Sequence, residues 1–276
     1  MLGNQEDILR RIIAVSSIIF FLISCSTDSQ FVPLRKIPME RRKAILFVDF
    51  KNSSAGKSIK DYDGLARGIP DMVLTDFINV GMFRTIAEED RARALSELAF
   101  QRSGLTENNG LSLGKLVGAE LLLTGSFTEF AGSMSINARV INVETAESIA
   151  AARISGATNE LLVPADKSLI KLASTNLLVN LDAALTEGEI EKIKKSSETK
   201  SIEAAVDNYR GEILLEKAQV LKIQEEKNHD KIKKEEIKKL EEEAREKFKS
   251  ALDEDPSYSR AKNNLRRLMS LLPPSV

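Results

Sequence analysis

The alternation of apolar and polar positions divides the chain into short strands and amphipathic helices. The continuous apolar run in Ala44–Phe50 predicts a strand that is covered on both faces. From Asp63 to Val80 apolar residues recur at helical spacing, which predicts a helix packed on that strand, with Asp63 as its N-cap. A strand at 83–87 and a helix at 89–102 follow. This alternating order favours an α/β fold.

The next elements are predicted to form two hairpins. A short helix around 113–117 precedes a strand at 121–130, and strict alternation from Met134 to Val140 predicts its half-exposed partner. Ala131–Gly132 would form the first turn, and Glu144–Glu147 the second, before a strand at 148–155. A helix from about Pro164 to Leu185 would complete residues 43–186, a mixed sheet with flanking helices.

Past Glu187 the pattern becomes helical throughout, and acidic and basic residues balance. Residues 187–276 are therefore predicted to form a separate all-α region. Lys231–Glu246 is its most charged part. We interpret this run as a solvent-exposed helix with Glu/Lys pairs four residues apart, the alternative being a surface for nucleic acid or lipid.

Composition limits the classes of function. With 276 residues, 42% of them hydrophobic, the chain can bury a sizeable core. Its 40 basic and 41 acidic residues give a net charge of -1, and it has no Trp, so no nucleic-acid partner is expected. A single cysteine, Cys25, excludes an intrachain disulfide and a thiolate metal cluster.

The N-terminal segment has the pattern of a secretion signal. Arg10 and Arg11 precede the apolar run Ile12–Ile23, which is shorter than the roughly 20 residues of a membrane-spanning helix. The run ends in Leu22, Ile23, Ser24 and Cys25, which resembles a lipobox, the motif at which a signal peptide is removed and the cysteine acylated. The resemblance implies a signal peptide at 1–24, lipid attachment at Cys25 and a tether at 25–42.

The alternative is a plain signal anchor with an incidental cysteine. Acyl chains contribute about 0.8 kcal/mol per buried CH₂, enough together to hold a protein on a membrane. Ser26, in place of an aspartate after Cys25, favours the periplasmic face of the outer membrane by resemblance to enteric lipoproteins.

No pattern predicts a catalytic, cofactor-binding or metal site. Ala55–Ser58 resembles the end of a phosphate-binding loop, but Lys51 stands where that motif needs its first glycine, so a flexible polar loop is the better interpretation. The only histidine, His229, lies in the charged helical region and is interpreted as a surface residue. We therefore expect a protein that is not an enzyme.

Four stretches resemble the CsgG family, the curli production assembly/transport component. They are Ala44–Phe50, Arg84–Glu88, Leu113–Phe130 and Ala138–Glu147. The resemblance agrees with the pattern, because Gly118 suits a helix C-terminus and Gly125 a strand position of close backbone approach. Ala146 replaces the turn glycine expected from the family.

The resemblance implies an envelope function. Curli secretion pores insert two hairpins per subunit into the outer membrane, and each membrane strand needs about 9–11 residues. No spare segment of that kind remains, since Ser133–Val143 belongs to the core hairpin. We expect a non-catalytic protein-binding, assembly or transport-accessory module that binds envelope proteins through its α/β domain and C-terminal helices, and a homo-oligomer is compatible with this. The alternatives are an activator of peptidoglycan synthases and a subunit of a secretion pore.

The C-terminal helices resemble one tetratricopeptide unit. Its positions are Ala244, Phe248, Ala251 and Pro256, followed by the start of a further helix at Ala261. Stable arrays need about three such units. The alternative is a helical hairpin that docks on the α/β domain.

Overall fold

The computed structural model describes residues 37–97, 107–163, 168–183, 185–195, 199–228 and 232–271, which belong to one compact unit. The strands are β1 (Lys43–Phe47), β2 (Lys51–Asn52), β3 (Phe83–Thr85), β4 (Leu121–Phe130), β5 (Ser133–Asn142) and β6 (Ser148–Ala157). The helices are α1 (Ser58–Asp61), α2 (Leu65–Val80), α3 (Glu88–Glu97), α4 (Glu107–Leu116), α5 (Leu169–Asn180), α6 (Glu187–Lys195), α7 (Ile202–Asn228), α8 (Ile232–Glu254) and α9 (Ser259–Leu271).

The sheet is mixed, as the sequence predicts. Its strand order is β3-β1-β4-β5-β6, and β2 pairs with the far part of β4. β1 is parallel to both β3 and β4, whereas β4, β5 and β6 form an antiparallel meander. The turn between β4 and β5 is confirmed at Ala131 and Gly132, which both have positive φ, of 50° and 79°. Two left-handed residues give the turn a twist that matches its strands.

Helices cover both faces of the sheet. On one face α2 and α5 bury Ile69, Phe77 and Leu177 against Leu123 and Phe127. On the other face, α3 and α4 cover only the end of the sheet near β1. There a smaller cluster includes Leu46, Val48, Leu95, Leu113 and Leu122. The rest of that second face is left polar.

The predicted start of α2 is wrong. The helix begins at Leu65, its N-cap is Gly64, and no side chain caps it. Asp63 lies outside the helix, and its carboxylate instead pairs with the guanidinium of Arg210 at 2.5 Å. The Asp63 carboxylate, which was predicted to cap the helix, thus forms a long-range ion pair instead.

Several other bounds differ from the prediction. β1 ends at Phe47, because beyond Val48 the ladder with β4 is interrupted and the Phe50 amide donates to the carbonyl of Ala66 in α2. Pairing with β4 resumes at β2. α4 begins at Glu107, earlier than predicted, and β3 ends at Thr85. The described part of the next predicted helix is α3, since residues 98–102 lie outside the described residues. α5 spans 169–180, and its N-cap is Ser168.

The C-terminal region is helical, as predicted. We call α7, α8 and α9 (Ile202–Leu271) the helical arm. α7 and α8 pack side by side, with Phe248 buried against Gly211, where a Cβ would lie 2.5 Å from the ring. Ala244 and Ala251 are also fully buried. On the exposed side, Lys239 and Glu243 form a pair four residues apart at 3.8 Å.

Candidate functional site

The sequence-predicted site residues lie mostly outside the described residues. This applies to the lipid-attachment residue Cys25, to the lipobox residues Leu22, Ile23 and Ser24, and to His229. The loop at 55–58 is described. It is an exposed turn in which Gly56 has a φ of +62°, and the helix that follows it, α1, is one turn long.

The first candidate surface is the open edge of the sheet. β6 is the last strand in the order, and among the described residues its strand neighbour is β5. Exposed and more buried positions alternate along it from Ala151 to Ala157. A ten-residue strand at an edge presents a row of backbone groups to which another strand can pair.

Side chains of the same chain occupy both ends of this edge. Asn180 donates to the carbonyl of Ala151 at 2.7 Å, and the amide of Ala157 donates to the Glu160 carboxylate at 3.2 Å. Because outward backbone groups recur every second residue in an antiparallel edge strand, those of Arg153 and Ser155 face the same way. Within the described parts of the chain, no group forms a hydrogen bond with the outward backbone groups of Arg153 and Ser155.

The sheet face beside this edge is largely polar, and many of its side chains are small. Ser135 and Ser155 share a hydrogen bond of 2.8 Å between their hydroxyls. Arg139 and Arg153 are exposed, and none of the residues that β4, β5 and β6 direct to this face is acidic. Phe130 is 72% exposed at the end of β4. We call β6 together with these residues the sheet-edge surface.

The second feature is a charged cluster that joins the helical arm to the sheet. Arg67 of α2 binds Asp49 at 2.6 Å through Nε and reaches Glu216 of α7 through Nη2. Arg91 of α3 binds the other oxygen of Glu216 at 2.6 Å and donates to the carbonyl of Phe47 at 2.8 Å. Two cations and two anions from four segments therefore balance in one cluster, in which the arginines are buried and the carboxylates are half-buried.

The ionised state of this cluster is strongly favoured. Burial opposes the charge of Glu216, but the guanidiniums of Arg67 and Arg91 outweigh it and lower the pKa of the carboxyl to about 2. The guanidinium carbons of Arg91 and Arg67 also lie 4.7 and 5.6 Å from the centre of the Phe47 ring. Cation–π contacts of this kind stabilise a partly desolvated guanidinium.

A second polar cluster lies one or two turns closer to the N-terminus of α7. Tyr209 is fully buried, and its hydroxyl donates to Asp71 of α2 at 3.1 Å. Arg260 of α9 stacks on the Tyr209 ring at 5.1 Å and binds both Asp71 and Glu212. Burial raises the pKa of Asp71, while the charge of Arg260 opposes that rise.

Two glycines of the α2 region allow α7 to approach this closely. A Cβ on Gly64 would lie 2.1 Å from the carbonyl oxygen of Val206, and one on Gly68 would lie 2.6 Å from the Tyr209 ring. They are four residues apart and so lie on one side of the helix. The arm is thus fixed to the α/β domain by close packing as well as by charge.

Sequence reasoning missed the arm junction, by which we mean the two clusters and these glycines. Two signals were available. Gly64 and Gly68 form a small-residue pair within a helical pattern. Arg67 also falls between the apolar Leu65 and Ile69. Neither signal identifies α7 as the partner. In the described residues, no group of three or more His, Cys, Asp or Glu is arranged to hold a metal ion.

The described residues therefore form a mixed sheet flanked by helices, in which β6 is the edge strand, and a helical arm that packs on this α/β part. Residues 27–136 match the family model described as the curli production assembly/transport component CsgG. This match confirms the resemblance predicted from the sequence. No curated protein matches the chain. In the part of the chain that is described, no helix has both the length and the apolar character needed to span a bilayer.

Several solved structures are similar to part of the chain. The C-terminal domain of LpoB from Salmonella enterica is 17% identical, with a TM-score of 0.36 over 42% of this chain and 82% of that one. Lipoprotein GNA1162 from Neisseria meningitidis is 11% identical, with a TM-score of 0.35 over 51% and 99%. The PelC dodecamer from Paraburkholderia phytofirmans is 11% identical, with a TM-score of 0.29 over 51% and 90%.

Proposed function

We propose that this protein is a lipoprotein of the bacterial envelope, anchored through Cys25 on the periplasmic face of the outer membrane, that binds another envelope protein as a non-catalytic assembly or transport-accessory module. The lipobox-like end of the leader supports the anchor. The match to an assembly/transport component supports the class of function.

The open edge of β6 is the single observation that carries the binding role. An extended partner segment can add to such an edge, where main-chain hydrogen bonds give affinity and side chains give specificity. Exposed Arg153 on β6 favours a partner strand that carries acidic residues. Phe130, exposed on the same face at the end of β4, offers an apolar anchor two strands away from the edge. The partner would therefore be an acidic strand with an apolar residue at one end.

The arm junction adds a second surface at a fixed position. Because α7 is held by buried ion pairs and by helix contact at Gly64 and Gly68, the arm does not act as a free tether. Its exposed side carries mixed charges. A partner that contacts both β6 and the helical arm would bind two surfaces whose separation is fixed.

Crosslinking in intact cells tests this proposal. A photoreactive phenylalanine analogue in place of Phe130, followed by mass spectrometry, should capture an envelope protein. Ser155→Pro should abolish that crosslink because it removes an outward amide from the edge. Ser155→Ala is the matched control, since it removes the same hydroxyl but keeps the amide, and it should preserve the crosslink.

The identity of the captured protein distinguishes between the alternative functions. A glycosyltransferase-transpeptidase would favour the peptidoglycan-synthase activator, and a second copy of this chain would favour a homo-oligomeric assembly. A crosslink that survives Ser155→Pro unchanged would contradict strand addition at β6.

A further inference from the structure

A cavity of about 290 Å³ opens at the end of the sheet where β1, β3 and β4 begin. The charged cluster at Phe47 and Asp49 lies at the other end of β1, so the cavity and the arm junction are at opposite ends of that strand. Phe83 and Leu121 form the buried apolar part of its wall. The remaining lining residues are Ile37, Arg41, Lys43, Met82, Ile149, Asn180, Leu181 and Asp182.

The rim of this cavity combines cations with exposed apolar side chains. Arg41 and Lys43 are exposed on it, while the guanidinium of the neighbouring Arg42 donates to the carbonyl of Ile37 at 2.9 Å. Ile149 on the rim is 39% exposed, and the nearby Met39 is 58% exposed. Cations beside exposed apolar groups are the composition of surfaces that lie on anionic bilayers.

The local charge differs in sign from that of the whole protein. Between Ile37 and Lys43 three basic residues stand against one acid, Glu40, whereas the whole chain has a net charge of -1. Asp182 is the acid on the rim itself. In the sequence, Arg35 and Lys36 precede this segment. The positive charge is thus concentrated where the chain enters the fold.

The position of this surface along the chain identifies what covers it. Ile37 lines the cavity and is twelve residues from Cys25. A fully extended chain of that length spans at most about 40 Å. If Cys25 is acylated, as the proposed function requires, the cavity stays within that distance of the bilayer.

We infer that the cavity and its rim dock on the anionic membrane surface that holds the lipid anchor, with phospholipid phosphates bound by Arg41 and Lys43. The apolar groups Met39 and Ile149 then lie at the headgroup boundary. Docking at this end turns the arm junction away from the bilayer. The lipid anchor would hold the protein on the membrane, and this surface would orient it.

The test uses the lipidated full-length chain in vesicles. A fluorophore on Val179→Cys, an exposed position beside the rim, reports contact with spin-labelled phospholipids through quenching. Because Cys25 is the only cysteine in the sequence, one label per chain means that it is acylated, and two labels mean that the anchoring proposal has failed. Failure of the anchor is thereby distinguished from failure of docking.

Quenching should be stronger in an equal mixture of phosphatidylcholine and phosphatidylglycerol than in phosphatidylcholine alone. The double variant Arg41→Gln/Lys43→Gln should weaken docking about 30-fold, from roughly 1 kcal/mol per basic residue near an anionic surface. Lys238→Gln/Lys239→Gln, which removes two exposed lysines of the arm, is the matched control and should leave docking unchanged. A label at Glu236→Cys on the arm should not respond to the anionic lipid.

Two results would overturn the inference. One is equal quenching of the Val179→Cys label in both kinds of vesicle, or in the Arg41→Gln/Lys43→Gln variant and its parent. The other is release by inorganic phosphate at an ionic strength where chloride has no effect, which would assign the cavity to a small phosphate ligand. Equal release by the two salts supports a membrane surface, because general screening then accounts for it.

Discussion

Glu216 is the residue on which attachment of the arm depends most directly. Its carboxylate accepts from Arg67 and Arg91, which are only 7% and 5% exposed. Removing one partner of a buried ion pair leaves uncompensated charge and costs about 3–5 kcal/mol. We expect Glu216→Gln to lower the free energy of unfolding by that amount, as measured by urea denaturation.

A matched control is available on the exposed side of the arm. Glu243 pairs with Lys239 at 3.8 Å, and the two side chains are 48% and 76% exposed. Exposed pairs contribute at most about 1 kcal/mol. Glu243→Gln should therefore change stability by less than that, and equal losses in the two variants would contradict the central place of Glu216.

The same carboxylate predicts a dependence of stability on pH. Its pKa falls from 4.5 to about 2 in the folded protein, so folding favours the ionised form. The stabilisation is fully present above pH 4.5 and is lost as the pH falls from there to about 2. The shift corresponds to about 3 kcal/mol. Urea midpoints measured from pH 6 down to about pH 3 should fall less steeply in Glu216→Gln than in the parent.

Residue-scale predictions from the sequence succeeded where local geometry decides. Gly125 was predicted to allow close approach, and a Cβ there would lie 2.2 Å from the carbonyl oxygen of Asn137. Gly118 was predicted to end a helix, and its φ is +67°. Arg67 and Glu216 were missed because 149 residues separate them along the chain, so no local pattern relates them.

At the scale of elements, the contact between α2 and α7 depends on Gly68. A Cβ there would lie 2.6 Å from the buried ring of Tyr209, which Arg260 and Asp71 hold in place. Overpacking of this kind costs about 1–3 kcal/mol. Gly68→Ala should destabilise the protein by that amount in thermal or urea unfolding, although alanine is the better helix former.

Gly188 of α6 supplies the comparison for that change. A Cβ at Gly188 would meet nothing within 4 Å. Alanine is favoured over glycine by up to about 1 kcal/mol in a helix interior, and by less at Gly188, the second residue of α6. Gly188→Ala should therefore stabilise the protein slightly, and a gain of stability in both variants would show that α7 does not press on α2.

The spacing of apolar residues along the sequence predicted most helices and strands, because that spacing reflects which side chains are buried. Strict alternation located β5, which pairs on both sides with β4 and β6. The predicted ends of an element were wrong where a polar side chain pairs with a residue that is distant in the sequence. Asp63 is the clearest case, because its pair with Arg210 is made across 147 residues and leaves α2 to begin at Leu65.

At the scale of the whole molecule, the sequence predicted a mixed α/β fold followed by helices but left the relation between them open. Docking of the helices on the α/β domain was one of two alternatives, and the junction at Arg67, Tyr209 and Gly64 shows such docking. Whether the arm also follows the tetratricopeptide pattern stays a prediction. The open edge of β6 could not be predicted, because strand order depends on pairing between distant segments.

Placement of the molecule depends on Cys25, and the final prediction concerns its acylation. The apolar run 12–23 is shorter than the roughly 20 residues that span a bilayer, so the acyl chains should provide the lasting attachment. We expect the native chain to incorporate labelled palmitate and to stay with membranes during alkaline washing. Cys25→Ser should incorporate none and be released by the wash, whereas Ser26→Ala should behave as the native chain does.

A Cys25→Ser chain that stays equally membrane-bound would mean that the leader itself is the anchor. The tether would then no longer begin at Cys25, and the twelve-residue limit on the distance between the cavity and the bilayer would no longer hold.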